Sequence, residues 1–226
     1  MREGELVCLV GKSGMGKTTI LHALAGLLVP REGQVLLRGK DITGKPGHVS
    51  YMLQKDLLLP NLRVIDNAAL PLMLAGTPKD EAHAQALTLL EHFGLSSMAD
   101  AWPAQLSGGM RQRVAFARTY LQGNSLILLD EPFSALDAIT RADLRSWFKE
   151  TMSELGLSTL MITHDPDEAT LLADRIYVLG KSNGSGVYSK IAGEITPKHI
   201  TAANQESDYS LTPEFLEAKS AILTLL

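Results

Sequence analysis

Short aliphatic runs alternate along this chain with longer stretches in which apolar residues recur every third or fourth position. Residues 5–10 (ELVCLV) form an apolar run that stops at Gly11, the pattern of a buried strand. Ile20, Leu21, Leu24, Leu27 and Leu28 follow at helical spacing, which predicts a helix over 18–28. Strands are predicted at 34–37 and 49–53, around a turn-rich 39–47. From 57 to about 95 the texture is helical, and over 79–93 Ala82, Ala86, Leu89, Leu90 and Phe93 share a face, with Gly94 as the stop. A further helix is predicted at 110–121. The aliphatic run 126–129 ends in Asp130, as in a strand buried on both faces. Helix 140–155, strand 159–162, helix 167–173 and strand 175–179 complete the alternation, and 181–186 (KSNGSG) reads as a turn or hairpin tip.

Alternating strands and helices imply an α/β fold with a mostly parallel sheet. The pattern divides a single domain, 1–226, into a core (1–55 and 123–190), an inserted helical subdomain (56–122) and a C-terminal extension (191–226). That extension ends in an amphipathic helix at 214–226 whose stripe, Phe215, Ala218, Ile222 and Leu225, is expected to pack on its own domain.

Composition narrows the setting. The 226 residues carry a net charge of −4, which argues against duplex nucleic acid as a partner. A single cysteine, Cys8, permits no intrachain disulfide and fits a reducing, cytoplasmic setting. The longest nearly apolar stretch, 68–75, is far short of the ~18 residues of a membrane span. Work at a membrane would therefore need a partner. His22, His48, His83, His92 and His199 show no metal-ligand spacing.

Gly11-Lys12-Ser13-Gly14-Met15-Gly16-Lys17-Thr18 fits G-x-x-x-x-G-K-[ST] between a predicted strand and a predicted helix. In that context backbone N–H groups cradle phosphate, Lys17 reaches the β- and γ-phosphates and Thr18 can ligate Mg²⁺. Asp130 and Glu131 stand where ligands bind in open α/β sheets, at the carboxyl end of a buried strand. Asp130 is suited to Mg²⁺ and Glu131 to polarising an attacking water. Ser107-Gly108-Gly109 at a helix start is a second anion nest, followed by Arg111, Arg113 and Arg118, which read as partners of a phosphate-facing turn.

The order phosphate loop, Gln54, Leu106-Ser107-Gly108-Gly109-Met110, acidic strand, Ser134-Ala135-Leu136-Asp137 and Thr163-His164-Asp165 resembles the ATP-binding-cassette (ABC) ATPases over about residues 4–180. LSGGMRQRVAFAR, DEPFSALDAITR and THDPDEA are most similar to importer ATPases of the nitrate, sulfonate/taurine and thiamine-precursor group. The resemblance implies a P-loop NTPase with an ABC-type RecA-like core, an antiparallel β edge and an inserted helical subdomain. It implies an ATPase that works as a head-to-tail dimer with Mg²⁺. ATP would be held by Gly11, Lys12, Ser13, Gly14, Met15, Gly16, Lys17, Thr18 and Thr19, and Mg²⁺ by Thr18, Gln54 and Asp130. The catalytic set would be Glu131, His164 and Gln54. Leu106 to Met110 would contact the ATP of the other subunit, and Asp137 would communicate across the dimer.

The implied partners are integral membrane permease subunits and, indirectly, an extracytoplasmic substrate-binding protein. The chain would then lie on the cytoplasmic face of the membrane. The segment 55–67 is apolar enough for the permease contact, or for packing within the subdomain. Alternatives are a soluble non-transport cassette of the DNA-repair or chromosome type, and a regulatory cassette. Three positions depart from the family. Met110 stands where Gln is usual, Lys12 where many importers have Pro, and no aromatic precedes Tyr51 to stack on adenine. The last predicts a shortened chain or mis-called start, or else a short cassette with weaker ATP binding.

Overall fold

The computed structural model describes residues 1–181, 189–198 and 209–226. His199 and most of the expected 181–186 turn lie outside them. The main sheet is built from β1 (Leu6–Gly11), β4 (Ser50–Met52), β5 (Leu126–Asp130), β6 (Ser158–Thr163), β7 (Arg175–Lys181) and β8 (Ser189–Ile195), in the order β4-β5-β6-β1-β7-β8. Every pairing is parallel except β7 with β8, so the sheet is mostly parallel with an antiparallel edge. A separate antiparallel pair joins β2 (Leu36–Leu37) to β3 (Lys40–Asp41).

Register decides where the chemistry sits. Val10 of β1 pairs with Thr163 of β6, and Asp130 of β5 pairs with Ile162. With strands about 4.8 Å apart, the chain leaves β1 into the phosphate loop, β5 into Glu131 and β6 into His164 along one edge.

Side chains alternate across β1: Leu6, Cys8 and Val10 enter one apolar cluster and Leu9 the other. The first side carries α2 (Val64–Leu74), α3 (Lys79–His92), α4 (Gly108–Tyr120), α5 (Ala138–Leu155) and α6 (Pro166–Leu172). The second is covered by α1 (Lys17–Leu24) and the β2–β3 hairpin. Rings weld the inserted helices to the core. Phe93 meets Trp147 edge-on at 4.9 Å between centroids, Phe116 meets Phe148, and Phe148 meets Phe133 just beyond β5.

Several boundaries differ from expectation. The helix at 18–28 ends at Leu24, because the N–H groups of Leu27 and Leu28 both turn back to the His22 carbonyl. Both leucines then project into solvent. The strand at 34–37 contracts to two residues, and although an antiparallel edge was expected, no apolar run marked β3 or placed β8 at 189–195. In β8, SKIAGEI, most residues are only partly buried or exposed, so no clean apolar alternation marks it. The terminal helix α7 (Pro213–Leu225) does pack on its own domain: Phe215, Ala218 and Ile222 are buried, and Lys219 Nζ lies 2.7 Å from Asp167 Oδ1 of α6. Among the described residues no helix is long and apolar enough to cross a membrane.

Candidate active site

The phosphate loop rises from β1 and closes into α1. Gly14 and Gly16 adopt left-handed φ of +80° and +82°, which a side chain would resist. Gly16 caps α1 without any side-chain hydrogen bond, and no acid occupies the first turn. The leading N–H groups are thus left for an anion. Lys17 is 6% exposed, and its Nζ donates to the carbonyls of Gly11 (2.7 Å) and Lys12 (3.2 Å). Burial pulls its pKa below the ordinary lysine value, opposed by the charges of Glu131 and Asp130. Lys12, Ser13, Thr18 and Thr19 present exposed side chains around it, and Met15 is half-buried.

Glu131 is where the predicted catalytic residues meet. Its Oε1 is 3.9 Å from Lys17 Nζ, and its Oε2 is 3.0 Å from His164 Nδ1. Gln54 Nε2 donates to the same Oε2 at 3.4 Å and to Ser134 Oγ at 3.3 Å. Ser134 Oγ in turn donates to the Glu131 carbonyl at 2.9 Å. Glu131 itself sits at φ +46°, a left-handed conformation that costs of order 1 kcal/mol outside glycine. The strained backbone turns its carboxylate back over the sheet edge. With the Gln54 amide nitrogen spent on Glu131, its amide oxygen is left to accept or ligate.

Asp130 is 5% exposed beside Glu131 and accepts a long 3.4 Å hydrogen bond from Tyr51 Oη. Burial, followed by the Asp130 charge, raises the Tyr51 pKa well above the usual phenol value. Asp130, the Thr18 hydroxyl and the Gln54 amide oxygen form an all-oxygen donor set that suits Mg²⁺. Among the described residues no group of His, Cys, Asp and Glu could hold a metal alone. Mg²⁺ that keeps waters and bridges phosphates needs no such group, so the residues fit it.

The signature segment stands apart. Ser107 caps α4, its Oγ accepting from Met110 N at 3.3 Å. A Cβ on Gly108 would lie 2.9 Å from Leu136 Cδ2, and one on Gly109 2.9 Å from Thr140 Cγ2. Glycine at these two positions lets α4 lie close against Leu136 and the first turn of α5. Leu106 is buried and Met110 half-buried behind them. Asp137 caps α5 by accepting from Thr140 N, a bond that also holds its pKa below the usual carboxylate range. Among the described residues no hydrogen bond or ion pair joins the signature to the phosphate loop of the same chain.

The three arginines of α4 all find acceptors within the chain, Arg111 among them at the signature turn itself. Arg111 donates to Asp56 Oδ2 (3.2 Å) and to the Leu106 carbonyl, and Arg118 to the carbonyls of Asp56 and Leu57. Arg113 donates to the Phe93 carbonyl and lies over Trp147. Arg118 thus satisfies the irregular backbone after Gln54, Arg111 ties α4 to Asp56 in that segment, and Arg113 ties it to the end of α3. Tyr51, Ser134 and the buried Glu168 also belong to the surroundings of the site; Ser134 and Glu168 lie inside recognised motifs, but the motifs assign none of the three a role there.

Residues 1–134 match the profile of the family described as ABC transporter. The uncharacterised ABC transporter ATP-binding protein YtlC of Bacillus subtilis is 42% identical over 81% of this chain and 70% of its own length. The aliphatic sulfonates import ATP-binding protein SsuB of Albidiferax ferrireducens is 42% identical over 78% of this chain and 61% of its own. Most of the import proteins it resembles are longer, and the chain spans less than about two thirds of their length. Among solved structures, the dimeric ATP-binding cassette MJ0796 in a post-hydrolysis state with ADP and Pi matches with a TM-score of 0.67 and 31% identity, over 79% of this chain and 82% of that one. With more than half of its residues matched by the family profile and its fold shared with a solved cassette, the chain belongs to the ABC transporter family.

Proposed function

We propose that this chain is the ATP-hydrolysing subunit of an importer, acting as a head-to-tail dimer that drives a separate membrane permease. The observation that carries the reading is the convergence of Lys17, Gln54 and His164 on the Glu131 carboxylate. Glu131 orients and deprotonates the attacking water. His164 and Gln54 hold that carboxylate from two sides, and Lys17 supplies fixed positive charge for the γ-phosphate. Thr18, Asp130 and the Gln54 oxygen would hold Mg²⁺, which when bound offsets phosphate charge. Ser107 and Gly109, far from their own phosphate loop in chemistry, serve the ATP of the partner, and Asp137 passes the state of one site to the other.

The division into a core (1–55 and 123–190), a helical subdomain (56–122) and an extension (191–226) assigns the permease contact to the region after Gln54. The 55–67 segment splits there. Leu58, Val64 and Asn67 are buried, whereas Leu57 and Leu59 are exposed beside exposed Leu53. Those leucines form the proposed permease contact, on the cytoplasmic face of the membrane. An extracytoplasmic binding protein would act only through the permease. Importer names among the relatives, for sulfonates and Fe(3+), favour this over a non-transport or regulatory cassette.

The test is Glu131→Gln. Turnover of Mg-ATP should fall by about 10²–10⁴, and the purified variant should run as a dimer on size exclusion only with Mg-ATP present. Turnover equal to wild type would remove Glu131 from its assigned role.

A further inference from the structure

Glu168 is 4% exposed in the first turn of α6, yet it touches neither the phosphate loop nor Glu131. Burial pushes its pKa up, so the carboxyl sits there at a cost that an apolar side chain would avoid. At the third position of a helix, a glutamate often reaches back to the backbone N–H of the cap residue. Here it does not. The Asp165 N–H donates instead to Thr163 Oγ1 at 3.0 Å, and that hydroxyl donates its only proton to Glu168 Oε2 at 2.6 Å.

A hydroxyl has one proton and two lone pairs. Glu168 takes the proton and thereby fixes the rotor, leaving a lone pair aimed at Asp165 N. The resulting ring closes around one residue, His164. Asp165 is then used as the cap of α6, its Oδ1 accepting from Asp167 N at 2.8 Å. Both peptide neighbours of His164 are therefore fixed by the buried carboxyl, while the imidazole itself is half exposed. On the far side Glu168 faces Arg141 and Arg145 of α5, and Arg141 also donates to the Leu136 carbonyl of the Asp137 loop at 2.8 Å.

We propose that Glu168 is a positioning residue for hydrolysis, which through the Thr163 hydroxyl holds His164 in register with Glu131. The inference rests on the ATPase reading above and deepens it. Loss of the carboxyl lets Thr163 rotate, loosens the 163–165 turn and widens the His164–Glu131 separation, without touching the phosphate cradle.

The experiment measures kcat and KM for Mg-ATP in Glu168→Ala, Glu168→Gln and Thr163→Val, each also on a His164→Ala background, with melting temperature as a fold check. Glu168→Ala and Thr163→Val should each lower kcat about tenfold, the scale of a small misplacement of a reacting group, with KM within about twofold. Glu168→Gln should keep kcat, because its amide oxygen still accepts the Thr163 proton. On the His164→Ala background all three should be silent. Should Glu168→Ala lose the same factor with and without His164, its role is structural and the inference is overturned. Unchanged kcat in both Glu168→Ala and Thr163→Val overturns it equally. A wild-type chain without Mg-ATP turnover overturns the ATPase reading and this inference with it. Sensitivity to His164→Ala but indifference to Glu168→Ala overturns the inference alone.

Discussion

Two glycine-rich helix starts, at α1 and α4, bear the same sequence signal of an anion nest, and the structure makes them opposites. The first is uncapped, has no acid in its opening turn and carries its own buried cation, Lys17. The second is capped by Ser107, holds no buried lysine, and is pressed on Leu136 and Thr140 so closely that a Cβ on Gly108 or Gly109 would lie 2.9 Å from their side chains. Its arginines are spent on backbone carbonyls and Asp56. The difference fits the proposal that the start of α1 cradles phosphate and that the start of α4 serves the nucleotide of a partner chain.

The strongest way to break this contrast is Lys17→Ala. Removing the cation buried in the cradle should cut turnover by about 10²–10³ and weaken ATP binding to the isolated chain, read by steady-state kinetics and nucleotide titration. Gly109→Val attacks the other nest. A side chain there collides with Thr140, so turnover should fall by about 10²-fold while the isolated chain still binds ATP as wild type does. Equal loss of ATP binding in both variants would erase the distinction. Smallest is Ser107→Ala, which removes an exposed helix cap. It should cost about 1 kcal/mol, a melting shift of about 2–4 °C for a chain of this size, with unchanged ATP affinity in the isolated chain.

Much of the contrast was legible in sequence. The loop Gly11–Thr18 and the Asp130–Glu131 strand end come from contiguous residues whose spacing is set by local backbone geometry, and both elements formed where expected. What joins them is non-local. Gln54, Glu131 and His164 meet because β4, β5 and β6 are in parallel register, which no single run of residues encodes. Arg111 and Arg118 beside a glycine nest read as anion binders, but Arg111 is engaged by the Asp56 carboxylate and the Leu106 carbonyl, and Arg118 by the carbonyls of Asp56 and Leu57. Ser134 and Glu168 lie inside recognised motifs, but their contacts, like the hydroxyl of Tyr51, could not be read from sequence, since tyrosine on a strand and glutamate in a first helical turn are ordinary choices. Strand β8 escaped because an edge strand with a half-exposed face carries little apolar pattern.

The central claim, that each phosphate loop is completed by the signature of the other chain, is tested most directly by mixing. Lys17→Ala and Gly109→Val chains should each be nearly inactive alone. In a head-to-tail mixed dimer one site carries both lesions and the other carries none. Turnover on mixing equal amounts should recover to roughly a quarter of wild type, the share of intact sites under random two-fold pairing. If mixing restores nothing above the sum of the two variants, the signature does not serve the partner's nucleotide and the account is wrong.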